Sequence, residues 1–300
     1  MRNNELALNA NNVTGGYSSG AGVFDISLEI ESGVCCGLFG PNGSGKTTMI
    51  RLLTGLLQKS SGSIIIRGTE LTTSSAAQCR ENICVVGEGP PYKELTVREN
   101  VLLWTGLYHR QGSCSTITDA ALEQVGISAL SERLAGTLSK GQRQKLKLAR
   151  SLAVNAPIYI LDEPFDGLDP TSTRNMLEIF TEKKKQGASV LLCSHDLYSV
   201  DSLCDKALFL DQGRVIVSGN HNELLGMLER PAQVLVHYTD GHRKYVKEVN
   251  YDKRKQSRAD VVTSTINEIL ADGHKILSVP ESNLSLEDLY LDIFGQEVEQ

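Results

Sequence analysis

The chain lacks most of what would tie it to a bilayer core, to nucleic acid or to an oxidised scaffold. No apolar run approaches the roughly 18 residues that a membrane-crossing helix needs. Any action on a membrane is therefore expected to go through a partner. Aromatic residues make up only 5% of 300 residues, which argues against a base-stacking platform. Positive charge is in deficit. Thirty Lys and Arg stand against 36 Asp and Glu, a formal net charge of −6, so no global field draws in nucleic acid. Paired cysteines are missing as well: the seven Cys are odd in number, form no CxxC, and include the adjacent Cys35 and Cys36. That usage fits reduced thiols in a cytosolic protein better than a disulfide framework. Met1 to Ala10 is polar and does not read as a secretory leader. Internal repeats and low-complexity tracts are also absent from the sequence.

What remains is an ordinary soluble composition, 40% hydrophobic and 22% charged, long enough for one large domain and a small one. Short apolar strands are expected over 23–31, 34–39, 63–67, 83–86, 158–161 and 190–193. A hairpin is expected from 207–210 and 215–217 around Asp211-Gln212-Gly213. Helical periodicity covers 48–57, 142–154 and 173–185, and 122–134 with a break near Gly126. Thr96-Val97-Arg98-Glu99 reads as a capping box that opens a helix to Tyr108. Continuous apolar strands separated by helices imply a largely parallel sheet covered on both faces, an α/β fold. Composition shifts near Arg230. Beyond it, strands at 233–238 and 243–249 flank Asp240-Gly241, a strong hairpin signal. A charged linker follows over 253–258, then a helix over 260–271, a strand over 276–279 and a final helix capped by Ser285. The expected organisation is a domain over 1–229 and a small α+β domain over 230–300.

The most informative stretch is Gly40-Pro41-Asn42-Gly43-Ser44-Gly45-Lys46-Thr47, which fits Gly, four residues, Gly-Lys-Thr. An apolar strand leads in, and Thr48 continues into a helix. Such a loop aims several backbone N–H groups into one concavity at a helix N-terminus, where an anion is favoured. Lys46 is placed to reach β- and γ-phosphates, and the Thr47 hydroxyl to ligate Mg²⁺. A second strand, Ile158 to Leu161, delivers Asp162 to its carboxyl end, where ligands bind in open α/β sheets. Asp162 would hold Mg²⁺, and Glu163 would act as general base towards water. Taken alone, the two acids read equally well as a turn before Pro164. Ser139, before the 142–154 helix, reads alone as an ordinary N-cap.

The order of these features changes their meaning. Leu138-Ser139-Lys140-Gly141-Gln142, then Leu161-Asp162-Glu163-Pro164, then Gly167-Leu168-Asp169, then Ser194-His195 resembles the ordered motif set of the ATP-binding cassette (ABC) ATPases, over about Leu6 to Leu228. The resemblance implies a P-loop NTPase domain with an antiparallel β subdomain and a helical subdomain, and it implies ATP and Mg²⁺ as ligands. It makes Gly40 to Thr47 the Walker A loop, and Asp162 with Glu163 the Walker B pair. Ser139, Gly141 and Gln142 become the signature loop that touches ATP held by an opposite subunit. Asp169 falls in a loop at the dimer interface, His195 is the switch histidine on the γ-phosphate, and Tyr17 stacks on adenine. Tyr17 also reads as an exposed strand-end tyrosine.

Two positions depart from the family. Glu88 stands where Gln is usual, able to ligate Mg²⁺ or orient water but adding negative charge. Lys140 stands where Gly is common, either facing solvent, the favoured reading, or adding charge near the γ-phosphate. Asn283 to Tyr290 resembles the ending of ATPase subunits that serve ABC-2-type exporters. The resemblance thus implies an ATPase that pairs head to tail with a second, identical or different, cassette. It would drive a separate membrane permease from the inner face of the cell membrane, with the front of the 90–137 segment as the contact. The competing classes are a soluble ABC ATPase on nucleic acid or ribosomes, which usually carries coiled coils, zinc cysteines or two cassettes in one chain, and a cassette that only regulates its partner. Nucleic acid is not an expected partner.

Overall fold

The structure is a computed structural model that describes residues 5–18, 20–86, 89–108, 114–228, 232–241, 243–251, 256–279 and 285–295. Two compact units divide the chain, Met1–His221 and Asn222–Gln300. The junction expected at 229/230 falls outside the described residues.

The first unit opens on β1 (Leu6–Gly16) and β2 (Gly22–Glu31), an antiparallel pair. β1 is a strand that the asparagine-rich sequence does not announce. Tertiary contact makes it one, because Leu8, Ala10 and Val13 are fully buried. β3 (Cys35–Phe39) is buried along its whole length. α1 (Lys46–Leu53) begins two residues before Thr48 and ends well before Leu57, because Gly55 turns the chain at φ 68°. Then come β4 (Ser61–Ile66), β5 (Thr69–Glu70), α2 (Ala76–Arg80) and β6 (Ile83–Val86). α3 (Val97–Tyr108) carries the expected capping box. Thr96 N–H donates to Glu99 Oε2 at 2.8 Å, and Glu99 N–H donates to Thr96 Oγ1 at 3.1 Å.

The helix expected over 122–134 needs correction. α4 (Cys114–Gln124) lies earlier, with Thr118, Ala121 and Leu122 buried. Gly126, at φ 70°, stops it, and short 3₁₀ turns at Ser128–Leu130 and Ala135–Thr137 follow. Beyond these lie α5 (Lys140–Val154), β7 (Ile158–Asp162), α6 (Pro170–Lys185), β8 (Ser189–Cys193), α7 (Leu197–Val200), β9 (Lys206–Asp211) and β10 (Arg214–Asn220).

Two sheets build this unit. One is a six-stranded sheet of order β10-β9-β3-β8-β7-β6, and the other a four-stranded sheet of order β2-β1-β4-β5. In the larger sheet all pairings are parallel except that of the edge strand β10. The parallel strands are apolar except for Ser, Lys or Asp at some of their ends, because helices and the other sheet cover them. One core runs between the sheets, joining Leu8, Val13, Ile26, Ile30, Leu38, Met49, Leu52, Ile64 and Ile160. All seven cysteines are free thiols, and Cys114 alone of them is not buried. No helix among the described residues is long and apolar enough to cross a membrane.

α8 (His221–Gly226) spans the division between the units. The second unit holds β11 (Ala232–Thr239), β12 (Lys244–Tyr251), α9 (Arg258–Ala271), β13 (Lys275–Ser278) and α10 (Leu286–Phe294). Its strands form an antiparallel sheet of order β12-β11-β13. Val234, Val236, Tyr251, Val261 and Ile269 make its core. At the hairpin, Gly241 takes φ 96° and Asp240 Oδ1 accepts from Arg243 N–H at 2.7 Å. Ser285 caps α10 in a reciprocal box with Asp288.

Candidate active site

Strand order brings the chemistry together. β3 and β7 flank β8 in the parallel sheet, so their carboxyl ends lie about 10 Å apart, two strand spacings. The phosphate loop leaves β3, Asp162 ends β7, and Ser194-His195 follows β8. Three segments far apart in sequence therefore meet at one edge. An open cleft of about 460 Å³ there is lined by Asn42, Gly43, Gly45, Lys46, Thr47, Thr48, Asp162 and Glu163, among others.

The loop is shaped for close approach to an anion. Gly40, Gly43 and Gly45 take φ 147°, 85° and 109°, a region that L side chains avoid. A Cβ on Gly40 would stand 2.1 Å from the Leu210 carbonyl oxygen, whereas one on Gly43 would meet nothing within 4 Å. Gly43 is thus bare backbone on the open side of the loop, and Gly40 is bare because the sheet behind it leaves no room. Lys46 Nζ donates to the carbonyls of Gly40 at 2.7 Å and Pro41 at 3.0 Å. Its ammonium is thereby held over the concavity. Ser44 is 2% exposed, and its hydroxyl has no hydrogen-bond partner among the described residues. An orphaned donor beneath a glycine-lined cradle fits phosphate oxygens.

Burial pushes the Asp162 carboxyl above the usual carboxylate range, and the neighbouring Glu163 charge adds to the rise. Lys46 and Arg51 pull it the other way. A half-buried carboxylate beside a second one is short of positive charge. With the Thr47 hydroxyl it offers hard oxygen donors, which suit Mg²⁺. Glu163 sits at φ 46°, a left-handed conformation that costs a non-glycine residue on the order of 1 kcal/mol. Its N–H donates to Cys193 O at 3.0 Å, and its Oε2 lies 2.7 Å from His195 Nδ1.

Ser139, Gly141, Gln142 and Asp169 do not line the cleft. Ser139 caps α5 in a reciprocal box with Gln142, its Oγ accepting from Gln142 N–H at 3.2 Å while its own N–H donates to Gln142 Oε1 at 3.0 Å. Lys140 is exposed, as favoured, but not unpartnered: its Nζ lies 2.8 Å from Asp166 Oδ1. Asp169 caps α6, accepting from Ser172 N–H at 2.9 Å and Ser172 Oγ at 2.6 Å, bonds that hold its carboxyl below the usual range.

Tyr17 follows β1, half-exposed, and its hydroxyl accepts from Arg51 Nη1 at 2.6 Å. It does not line the cleft, although Gly20, Ala21 and Gly22 beyond it do. Glu88 lies outside the described residues. Sequence reasoning missed Phe24 and Gln212, both in the lining. The Arg214 guanidinium stands 5.5 Å over the Phe24 ring, and Phe24 N–H donates to Gly213 O at 2.7 Å. The β9–β10 turn carries Gln212 to the cleft and β2 carries Phe24, and no local pattern signals that. Gln144 was missed too. It donates to Pro164 O at 2.6 Å, and its signal was available: it shares a helical face with Lys140 and Gly141.

Comparison with known proteins agrees with this geometry. The family model described as ABC transporter matches residues 23–166. The chain is 30% identical over 287 residues to the doxorubicin resistance ATP-binding protein DrrA of Mycobacterium tuberculosis, spanning 94% of this chain and 82% of that protein. It is 28% identical over 307 residues to the linearmycin resistance ATP-binding protein LnrL of Bacillus subtilis, spanning 96% and 98%. A solved ATP-binding subunit of an ABC transporter superposes with a TM-score of 0.67 at 29% identity, over 73% of this chain and 91% of its own. The chain belongs to the ATP-binding cassette transporter family, as an ATP-binding subunit with ATPase activity.

Proposed function

We propose that this chain is the energising subunit of an ABC-2-type exporter. In this reading it pairs head to tail with a second cassette and drives a separate membrane permease from the inner face of the cell membrane. The observation that carries the pairing is the location of the signature residues. Lys46, Thr47, Asp162 and Glu163 line one cleft, while Ser139, Gly141 and Gln142 lie outside it. One chain therefore presents half of a site at the cleft and another half at the start of α5, and two chains head to tail complete both.

Each residue has a physical task. The loop 40–47 and Lys46 bind and orient the triphosphate, and most of phosphoryl-transfer catalysis is such positioning. Mg²⁺, held by Thr47 and Asp162, would neutralise phosphate charge. Glu163 takes a proton from the attacking water as the new P–O bond forms at the γ-phosphorus and the bond to the ADP oxygen breaks. His195 orients the Glu163 carboxylate and donates towards the γ-phosphate. Ser139 and Gly141 contribute to the opposite nucleotide, and Tyr17 supports the adenine.

The direction of transport rests on likeness over the whole chain. DrrA and LnrL bear names of resistance to drugs, and their matches extend into the C-terminal unit. A cassette that expels a compound fits both. The C-terminal unit, on this reading, is an accessory domain, about 230–300, that the cassette alone does not require.

Ser139→Arg tests the pairing. It leaves the cleft untouched, so ATP affinity of the isolated chain stays at the wild-type value. Turnover and ATP-dependent dimerisation, read by light scattering, are both lost. A Ser139→Arg chain that hydrolyses ATP normally would refute the composite site.

A further inference from the structure

We propose that Gln144 is a positioning residue for Glu163, and that it makes the general base of one site sensitive to the state of the other. The inference rests on the reading of Glu163 as base and of Ser139 as a contact to the opposite nucleotide.

Lys140, Gly141 and Gln144 fall on one face of the first turns of α5. That face is seated on the 163–167 turn at three points. Lys140 Nζ meets Asp166 Oδ1 at 2.8 Å. A Cβ on Gly141 would stand 2.8 Å from Gly167 O, so the two backbones touch. Gln144 Nε2 donates to Pro164 O at 2.6 Å and reaches Glu163 O at 3.4 Å.

The turn needs such support. Glu163 holds a left-handed φ of 46°, which persists only where surroundings enforce it. Its N–H is tied to β8 through Cys193 O at 3.0 Å. Its carboxylate is tied to His195 at 2.7 Å. The carbonyl side of the residue is tied to α5 by the Gln144 amide. Of the three contacts, this one bears directly on the peptide that sets the direction of the Glu163 side chain. Ser139 caps the same helix, five residues and about one and a half turns away. A nucleotide engaged by Ser139 at the opposite site therefore acts on a rigid lever whose other end holds this site's base. Lys140 and Asp166 are both largely exposed and contribute little of this stiffness.

The test uses the full chain with ATP and Mg²⁺. Gln144→Met keeps volume and helix propensity and removes the donor. Its kcat falls about 10- to 100-fold, the scale on which an ångström of misplacement acts. KM for ATP and Tm stay at wild-type values, because Gln144 does not line the cleft. Gln144→His keeps an N–H at similar reach and restores most of kcat. Gln144→Asn, one methylene short, behaves like Gln144→Met, and it stands in should the methionine variant not fold. Unchanged kcat in Gln144→Met overturns the proposal, as does equal loss in Gln144→His, or a fall in kcat matched by a rise in KM. Glu163→Gln is the control. If it retains turnover, the base assignment itself is wrong. If it abolishes turnover while Gln144→Met does not, only the positioning role fails.

Discussion

Glu163 Oε2 accepts from the His195 backbone N–H at 3.2 Å and lies 2.7 Å from His195 Nδ1. One carboxylate oxygen thus spans two parallel strands, because Glu163 follows β7 and His195 follows β8. Asp162 and Cys193 pair in the register between those strands, so the two side chains start from neighbouring positions.

Replacing Glu163 with Gln keeps the shape and removes the proton acceptor. Turnover is expected to fall about 10²- to 10⁴-fold, with ATP binding and ATP-dependent association retained. His195→Ala frees the carboxylate without removing it and costs less than Glu163→Gln. Phosphate release under saturating ATP checks both. Equal losses in the two variants would show that the proposed His195 contact to the γ-phosphate matters as much as the base itself.

Gly40 and Gly43 are predicted to differ. Gly40→Ala drives a methyl group into the Leu210 carbonyl, backbone against backbone, at 2.1 Å. Gly43→Ala has open space and pays only for its left-handed φ of 85°. Nucleotide affinity, read by titration of a fluorescent ATP analogue, is lost in Gly40→Ala and weakened in Gly43→Ala.

The Arg98–Asp119 pair ties α3 to α4, with Arg98 Nε 3.0 Å from Asp119 Oδ1. The hydrogen bond from Arg98 holds the Asp119 carboxyl below its usual range. A lowered folded value means that the stabilisation is present above the ordinary aspartate range and is lost as pH falls through the lowered value. The Tm difference between wild type and Asp119→Asn is therefore present at pH 7 and closes in acid, as pH falls through the lowered value. Because the pair is exposed, about 1 M salt shrinks the same difference. A Tm difference that persists under both conditions would contradict this assignment.

Phe180 on α6 is fully buried and meets Tyr159 of β7 edge to face, with ring centroids 5.7 Å apart. Phe180→Ala removes both the burial and the ring contact. A loss of about 3–5 kcal/mol is expected in denaturant unfolding. Since α6 is capped by Asp169, thermal loss in this variant is expected to disturb the 163–169 turn first, visible as turnover failing below the global Tm.

Local patterns carried much of the fold. Apolar runs located β3, β6, β7 and β8, because strands buried on both faces have no polar side to blur them. Capping boxes located α3 and α10, because Thr96 and Ser285 settle orphaned N–H groups within one turn. The failures have equally local causes. β1 is polar in sequence and becomes a strand only by pairing with both β2 and β4. The helix placed over 122–134 lies earlier because Gly126 ends it instead of kinking it. Gln212 enters the cleft by way of the turn between β9 and β10, and Phe24, whose N–H donates to Gly213 O, by way of β2, an approach that no short-range spacing encodes.

The sequence by itself determined the phosphate-binding loop, the acids at the end of one strand and the histidine after another, because each is a short motif whose chemistry depends on adjacent residues. Tertiary structure alone decided that β8 runs between β3 and β7. That placement joins Lys46, Asp162, Glu163 and His195 at one sheet edge, while Ser139 lies outside the cleft and Gln144 reaches the Glu163 turn from α5. Strand order and helix seating are set by burial summed over the whole core, and no window of neighbouring residues contains that sum.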